Sequence, residues 1–443
     1  MSIFKAYDIR GTYPDQLDKE LAFKIGRAFV AFLGVKNVVV AKDVRESSDE
    51  LEESLIQGIL KQGADVIAIG LATTPMMYFT VAKFGYDSGI MITASHNPKE
   101  YNGFKLVREQ AIPISGDTGI KEIEKMVLSG EFPAPAGQGE IKQRSDILDE
   151  YILNALAFRT VDQIPRYRIV VDTGNGMGAL IARKFFEHVK ADVTYMYEDM
   201  DGTFPNHEAN PLKEETLEDI RKMIKLKRAD MGIAFDGDAD RLFFLDEHAQ
   251  VISCDKITAL VARRLLTEMP SSTFLYDLRS SKVVKEVVEE NGGTAKMCRV
   301  GHAFIKAQMR EEDAVFAGEL SGHFYFKVNN FFESPLFVTL KILEEMAQRK
   351  ESLSQIIAPF NKYFASGEIN SKVEDKDAAM KKLEEKYSGG KIIRLDGVSV
   401  VFSDWWVNVR PSNTEPLLRL NLEADSKVLM EQKRDEVLAL IRS

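Results

Sequence analysis

Cysteine is scarce. Cys254 and Cys298 are the two in 443 residues, far apart and in no Cys-x-x-Cys spacing, which excludes a disulfide scaffold or zinc ribbon and leaves both thiols expected to be reduced. No apolar run reaches the roughly 20 residues a membrane-spanning helix needs; the uncharged stretch Val66 to Ala82 is interrupted by Gly70, Thr73, Thr74 and Pro75. The first ten residues carry Lys5, Asp8 and Arg10 in place of a signal peptide's apolar core, so the cytoplasm is the expected compartment. Surplus positive charge is missing too. With 58 basic against 68 acidic residues the net charge is −10, a field that repels a phosphate backbone, and neither nucleic acid nor membrane is expected as a partner. Glycine (29) and proline (14) are too few for a collagenous or disordered chain when 45% of residues are hydrophobic. The chain should fold, and its length implies three or four domains.

Short β-branched runs alternate with helical stretches in the first third: Val38 to Val40, a helix from Ser47, Asp65 to Ile69, a helix after Pro75, then Gly89 to Thr93. That is a βαβαβ pattern and predicts a parallel sheet. Ser47 and Glu50 have the spacing of a capping box, and Pro75 suits a first helical turn. The segment Glu131 to Gly139, broken by Pro133, Pro135, Gly137 and Gly139, reads as an exposed connector. The pattern restarts with a helix over Asp146 to Phe158, strand Arg168 to Asp172, a glycine turn, helix Lys213 to Lys225 and strand Met231 to Phe235. A third round follows: helix Asp255 to Glu268, strand Thr273 to Tyr276, helix Ser281 to Glu290, strand Ala314 to Phe316 and helix Ser334 to Arg349. The end differs, with a charged helix over Lys372 to Lys386 and a strand-rich stretch from Lys391 to Leu422. The expected fold is three similar α/β domains with mixed, largely parallel sheets (residues 1–143, 144–250 and 251–362) and a smaller C-terminal α+β domain (363–443). No residue-level repeat relates the three.

Asp236, Asp238 and Asp240 alternate with Gly237 and Ala239 at the end of an apolar strand. Three carboxylates so spaced can wrap one hard cation with oxygen ligands, Mg²⁺ being the natural choice, and three like charges this close need a compensating cation. A calcium loop is excluded because its sixth position, here Arg241, requires glycine, and Leu242 to Leu245 is an apolar strand. Thr93 to Pro98 follows another strand, where open α/β sheets place ligands. Ser95 is its candidate nucleophile, needing activation or a metal-stabilised leaving group, against the plain reading of a polar Asn-Pro turn. Arg410, Ser412, Asn413 and Thr414 offer a guanidinium, hydroxyls and an amide, an inventory that suits a phosphate better than a turn requires. Gly318 to His323 places Glu319 and Ser321 on one face of an extended segment, where both can accept from sugar hydroxyls; His323 either moves protons or satisfies a turn.

A rival signal is Gly174-Asn175-Gly176-Met177-Gly178-Ala179, a dinucleotide-type pattern with Glu198 and Asp199 about 20 residues on. The plain reading is a tight strand-to-helix turn.

These four loops in this order resemble the α-D-phosphohexomutase family, most closely its phosphomannomutase/phosphoglucomutase branch, over nearly the whole chain. Thr93 to Pro98 is similar to the family's phosphoserine loop, Asp236 to Arg241 to its magnesium loop, Gly318 to His323 to its sugar loop, and Arg410 to Thr414 to its phosphate loop. The resemblance implies that Ser95 carries a phosphoryl group beside Mg²⁺ held by Asp236, Asp238 and Asp240. It implies transfer to a hexose monophosphate, reorientation of the resulting hexose 1,6-bisphosphate (also the activator) and return of the other phosphate. Lys105 and His323 become acid/base candidates, Arg241 a phosphoserine contact, and Tyr7, Arg10, Arg279 and His302 cleft residues. Two departures are Ala94, where relatives often have glycine, and Arg279, where lysine is frequent. Glu319-Leu320-Ser321 is nearer the mannose/glucose branch than the glucosamine branch. A pocket that reads the 3- and 4-hydroxyls separates C2 epimers weakly, so comparable use of both sugars is expected. The alternatives are a phosphoglucosamine mutase, a metal-dependent sugar phosphatase and a dinucleotide-dependent oxidoreductase; monomer and homodimer both stay open.

Overall fold

A computed structural model describes residues 2–135, 137–412 and 417–443. In the first unit the apolar runs form strands Asn37–Lys42, Asp65–Leu71 and Ser88–Ile92, all parallel. Tyr101–Arg108 returns antiparallel beside Ser88–Ile92, and Ile9–Thr12 pairs with its other edge. Helix Thr74–Phe84 starts as its sequence predicts, with Pro75 in the first turn and the Thr73 hydroxyl accepting from the Met76 N–H (3.2 Å). The capping box at Ser47 does not form. Ser47 itself has helical backbone angles, its hydroxyl accepts from Asn102 Nδ2 (2.8 Å), and Glu50 pairs with the Tyr13 hydroxyl and Lys19. Tertiary partners displace the local cap: the buried Asn102 amide takes the Ser47 hydroxyl, and Glu50 turns to Tyr13 and Lys19 on the surface.

The second sheet runs Val251–Ile252, Leu242–Asp246, Met231–Phe235, Arg168–Asp172, Asp192–Met196, the last three parallel. The helix expected from Lys213 opens as a 3-10 turn, Glu214–Leu217, and continues as Glu218–Lys227. In the third sheet Thr273–Asp277 lies between parallel Thr294–Cys298 and Phe316–Gly318, and Phe324–Phe326 runs antiparallel at the edge. The strand expected at Ala314 to Phe316 sits two residues later. It continues through Gly318, whose missing side chain leaves room for Thr258 Oγ1, 1.9 Å from where a Cβ would stand. The C-terminal sheet is antiparallel, with Trp405–Pro411 between Val398–Val401 and Leu417–Ala424. Its first helix is Lys376–Lys386, capped by Asp375, and does not start at Lys372 because Ile369–Lys372 pairs as a strand. The fold is three α/β units with mixed sheets and a C-terminal α+β unit.

Each unit sends its central strand into a hairpin that returns antiparallel. The connecting segments are residues 93–100, 236–241, 319–323 and 412–416. All four sequence-selected loops therefore occupy the same topological place. One hydrophobic cluster runs through the first three units, from Val39 and Met91 through Val171 and Ile233 to Leu260 and Phe337. The C-terminal unit has its own core around Leu383, Val400, Trp405 and Leu420. Among the described residues no helix is long and apolar enough to cross a membrane.

Candidate active site

Ser95 has a left-handed backbone (φ 52°), uncommon for a residue with a side chain. Its conformation is fixed from several directions. Its N–H donates to Thr93 Oγ1 (2.9 Å), its carbonyl accepts from Arg45 Nη2 (2.9 Å), and that same oxygen lies 2.4 Å from where a Cβ on Gly237 would be. This turn aims the hydroxyl at the second unit, where it donates to Asp236 Oδ2 (2.8 Å). His96 Nδ1 stands 3.2 Å from the same hydroxyl. Burial and the cations Arg241 and Arg10 push the His96 imidazole well below its ordinary range, so it is neutral. Arg10 holds Asn97 Oδ1 (2.6 Å).

One carboxylate oxygen from each of Asp236, Asp238 and Asp240 lies within 4.8 Å of the others, and all three residues are buried. Burial, then the Asp240 and Asp238 charges, raise the Asp236 carboxyl well above the usual range. The shortfall of positive charge falls on Asp236: Lys105 Nζ bonds Asp238 Oδ2 (2.6 Å) and Asp240 Oδ2 (2.5 Å), and Lys105 and His323 outweigh burial to hold the Asp240 carboxyl well below the usual range. Burial disfavours the Lys105 ammonium, but the two carboxylates outweigh it and hold the amine well above its ordinary value. Arg241 adds its backbone N–H to Asp236 Oδ1 (3.1 Å) and its Nε at 3.7 Å from Asp236 Oδ2. Asp238 Oδ1 remains buried without a hydrogen-bond partner. An orphaned carboxylate oxygen among oxygen donors, beside the Ser95 hydroxyl, fits a hard divalent cation.

The third loop is not extended as the sequence reading had it. Gly322 N–H bonds the Glu319 carbonyl (3.0 Å) and Glu319 N–H bonds the His323 carbonyl (2.9 Å), closing a turn at Gly322 (φ 92°) between two antiparallel strands. Glu319 and Ser321 consequently meet at His323, whose Nδ1 is 3.2 Å from Glu319 Oε2 and 2.9 Å from Ser321 Oγ. His323 Nε2 faces Asp240 Oδ1 at 3.3 Å. Burial works against the imidazolium, but Asp240 and then Glu319 outweigh it and the Arg241 charge, raising the group to about 9. Arg279 forks onto Asp277 (3.1 and 2.9 Å) and reaches Glu319 (3.3 Å). Tyr7 crosses from the first unit, its hydroxyl donating to the Val300 carbonyl (3.4 Å) and its ring edge-on to His302 at 5.8 Å. Gly301 (φ 122°) permits that approach, since a Cβ there would lie 2.9 Å from the ring. Arg410 is buried on the C-terminal sheet, with Ser412 beyond it bonding Leu417 (2.9 Å); Asn413 and Thr414 lie outside the described residues.

The glycine-rich run at Gly174 is a structural turn. Its amides are taken internally: Gly174 by Asp172 Oδ1, Asn175 by Tyr197, Gly176 by Thr173 and Met177 by the Gly237 carbonyl. A pyrophosphate needs such amides free. Gly176 instead packs against Gly237, its Cβ position 2.7 Å from the Gly237 oxygen, and so supports the aspartate loop from behind.

Four family descriptions match in order. Residues 1–134, 149–249 and 253–363 match phosphoglucomutase/phosphomannomutase alpha/beta/alpha domains I, II and III, and residues 368–440 match its C-terminal domain. The chain belongs to the phosphoglucomutase/phosphomannomutase family. It is 41% identical over 443 residues to a phosphomannomutase of Methanocaldococcus jannaschii, covering 100% of this chain and 98% of that protein. It is 39% identical over 452 residues to a phosphomannomutase of Salmonella typhimurium, covering 100% and 99%. A crystal structure of a phosphoglucomutase/phosphomannomutase family protein from Burkholderia thailandensis superposes with TM-score 0.91 at 33% identity, over 99% of this chain and 96% of that one.

Sequence reading missed His96 and Arg45 in this family member. Arg45 is buried and spends all five N–H donors on or beside the serine loop: Nε on Asp43 (3.2 Å), Nη1 on the carbonyls of Pro98 (2.8 Å) and Tyr101 (3.0 Å), Nη2 on those of Ser95 (2.9 Å) and Asn97 (2.6 Å). This member of the phosphoglucomutase/phosphomannomutase family thus holds its serine loop through a guanidinium fork. Lysine offers three donors and no fork, so Arg45→Lys leaves at least two buried acceptors unmet. Urea denaturation of this variant is expected to show a loss of about 2–6 kcal/mol, at about 1–3 kcal/mol for each of two orphaned groups; unchanged stability would show that the carbonyls find other donors.

Proposed function

We propose that the protein interconverts hexose 1-phosphates and hexose 6-phosphates, of mannose and of glucose, as an intramolecular phosphotransferase that carries a phosphoryl group on Ser95. The observation supporting this reading is the Ser95 hydroxyl, held by a fixed left-handed turn 2.8 Å from Asp236 at the edge of a three-carboxylate cluster. Asp236, Asp238 and Asp240, with the Ser95 oxygen, hold Mg²⁺, which when bound neutralises charge on the transferring phosphoryl group. The O–P bond at Ser95 breaks as one forms to the free sugar hydroxyl, giving a hexose 1,6-bisphosphate. Lys105 and His323 flank the carboxylates as cations; one gives its proton to the departing serine oxygen and is restored by the proton released from the sugar hydroxyl. Arg10 and Arg241 face the phosphoryl oxygens. The bisphosphate then turns over and returns its other phosphate to Ser95, so added hexose 1,6-bisphosphate is an activator. Glu319 and Ser321 hold hydroxyls shared by both poses, Tyr7, Arg279 and His302 line the cleft, and Arg410, Ser412, Asn413 and Thr414 hold the phosphate that is not reacting. The work divides among residues 1–143, 144–250, 251–362 and 363–443. Buried free cysteines at 254 and 298 are in keeping with a cytoplasmic enzyme.

The test is ³¹P NMR of the protein with Mg²⁺, a trace of hexose 1,6-bisphosphate and either mannose 1-phosphate or glucose 1-phosphate. Each is expected to become its 6-phosphate at a comparable rate without inorganic phosphate, conversion stopping with a chelator and resuming with Mg²⁺. Inorganic phosphate alone would make the protein a phosphatase, and a many-fold preference would end the dual-sugar reading. Silence with both sugars would overturn the assignment and direct the search to glucosamine phosphates.

A further inference from the structure

Arg410 and Arg419 are cross-strand partners on neighbouring antiparallel strands of the C-terminal sheet. Two guanidinium groups so placed repel and call for an anion between them. Glu368 supplies it: Oε2 meets Arg410 Nη2 at 2.9 Å and Oε1 meets Arg419 Nη1 at 3.2 Å. Arg279 of the third unit reaches the same carboxylate, Nη1 to Oε2 at 3.7 Å. Glu368 stands just before strand Ile369–Lys372, in the turn after Phe364–Ala365, and both strands pair with Leu417–Ala424 of the fourth unit. The fourth unit has a separate core, so polar links such as these tie it to the rest.

Exposure separates this carboxylate from its neighbours. The Arg279 partners Asp277 and Glu319 have side chains 0% and 6% exposed, whereas Glu368 is 27% exposed and Arg410 only 3%. Water can take back a displaced Glu368 but cannot replace the anion at Arg410. Arg410 Nε is buried with no acceptor among the described residues, a donor to spare for another oxygen.

We propose that Glu368 is an internal counter-ion that holds Arg410, the phosphate-binding arginine, between turnovers and competes with the incoming phosphate for it. The inference rests on the reading of Arg410 as a phosphate ligand. A carboxylate ready to retake the guanidinium group weakens phosphate binding. It also speeds release, and a bisphosphate that must leave the loop and return reversed needs that release.

Calorimetric titration with inorganic phosphate tests it without depending on turnover, using wild type, Glu368→Gln, Glu368→Asp and Arg410→Ala, each checked for folding by circular dichroism. Glu368→Gln is expected to bind phosphate about tenfold more tightly, the effect of one charge-assisted contact no longer broken on binding. Glu368→Asp, with a shorter reach, is expected to shift the same way by less and serves if the amide variant is unstable. In turnover, KM and kcat of Glu368→Gln should fall together. Weaker or unchanged phosphate binding in both Glu368 variants would overturn the proposal, leaving the carboxylate as a brace for the arginines. If Arg410→Ala leaves phosphate binding unaltered, the phosphate-loop reading fails and this inference with it.

Discussion

Ser95→Ala is expected to lower kcat for hexose phosphate interconversion by at least about 10⁴-fold, the scale on which loss of a nucleophile removes covalent catalysis. The fold should survive. What fixes the loop is backbone, the Ser95 N–H on Thr93 and the Ser95 carbonyl on Arg45, and neither bond uses the hydroxyl. Alanine also tolerates the left-handed turn about as well as serine does. The side chain's own bonds are to Asp236 (2.8 Å) and His96 (3.2 Å), so the folded-state loss is at most two orphaned groups, at about 1–3 kcal/mol each. Rate measurement alongside a thermal melt separates the two effects. Near-normal turnover in a folded variant would remove Ser95 from the chemistry.

Gly237→Ala is expected to cost about 10²-fold in kcat without touching any reacting group. Its Cβ would stand 2.4 Å from the Ser95 carbonyl oxygen, a backbone atom that cannot swing aside. Arg45 pins that oxygen from the far side at 2.9 Å, and the Gly237 carbonyl is itself held by the Met177 N–H at 2.9 Å. The serine loop and the aspartate loop must therefore part. A misplacement of about 1 Å in a phosphoryl-transfer site is worth about 10²-fold, while overpacking costs about 1–3 kcal/mol in stability. Steady-state kinetics and urea denaturation together check it; wild-type kcat would show that the two loops do not depend on their close approach.

Strands Arg168–Asp172 and Met231–Phe235 stand where their apolar runs placed them, since a buried parallel strand writes its burial into consecutive residues. The three aspartates stood out as a cluster because their spacing is local, whereas Ser95 stood out only as a hydroxyl in a strand-end loop, 141 residues from the Asp236 it meets. Arg45 was not, because its targets are main-chain carbonyls 50 to 56 residues away, and carbonyls leave no mark on a sequence. Glu368 escaped for the same reason: it meets Arg410 and Arg419 only once two strands are paired. The Glu319 loop shows the limit of reasoning from periodicity. Alternation puts Glu319 and Ser321 on one face of a strand, but Gly322 turns the chain, and the two converge on His323.

The hairpin mounting of the four loops makes them separable from the scaffold that presents them. Each enters and leaves on adjacent hydrogen-bonded strands, Phe235 opposite Leu242 and Gly318 opposite Phe324, whose spacing of about 5 Å is set by the sheet and not by the loop. The strand ends act as sockets of standard width. A segment such as residues 319–323 is in this sense a cassette: recombination among relatives can exchange it, and with it the cluster of Glu319, Ser321 and His323, while the cores beneath stay as they were.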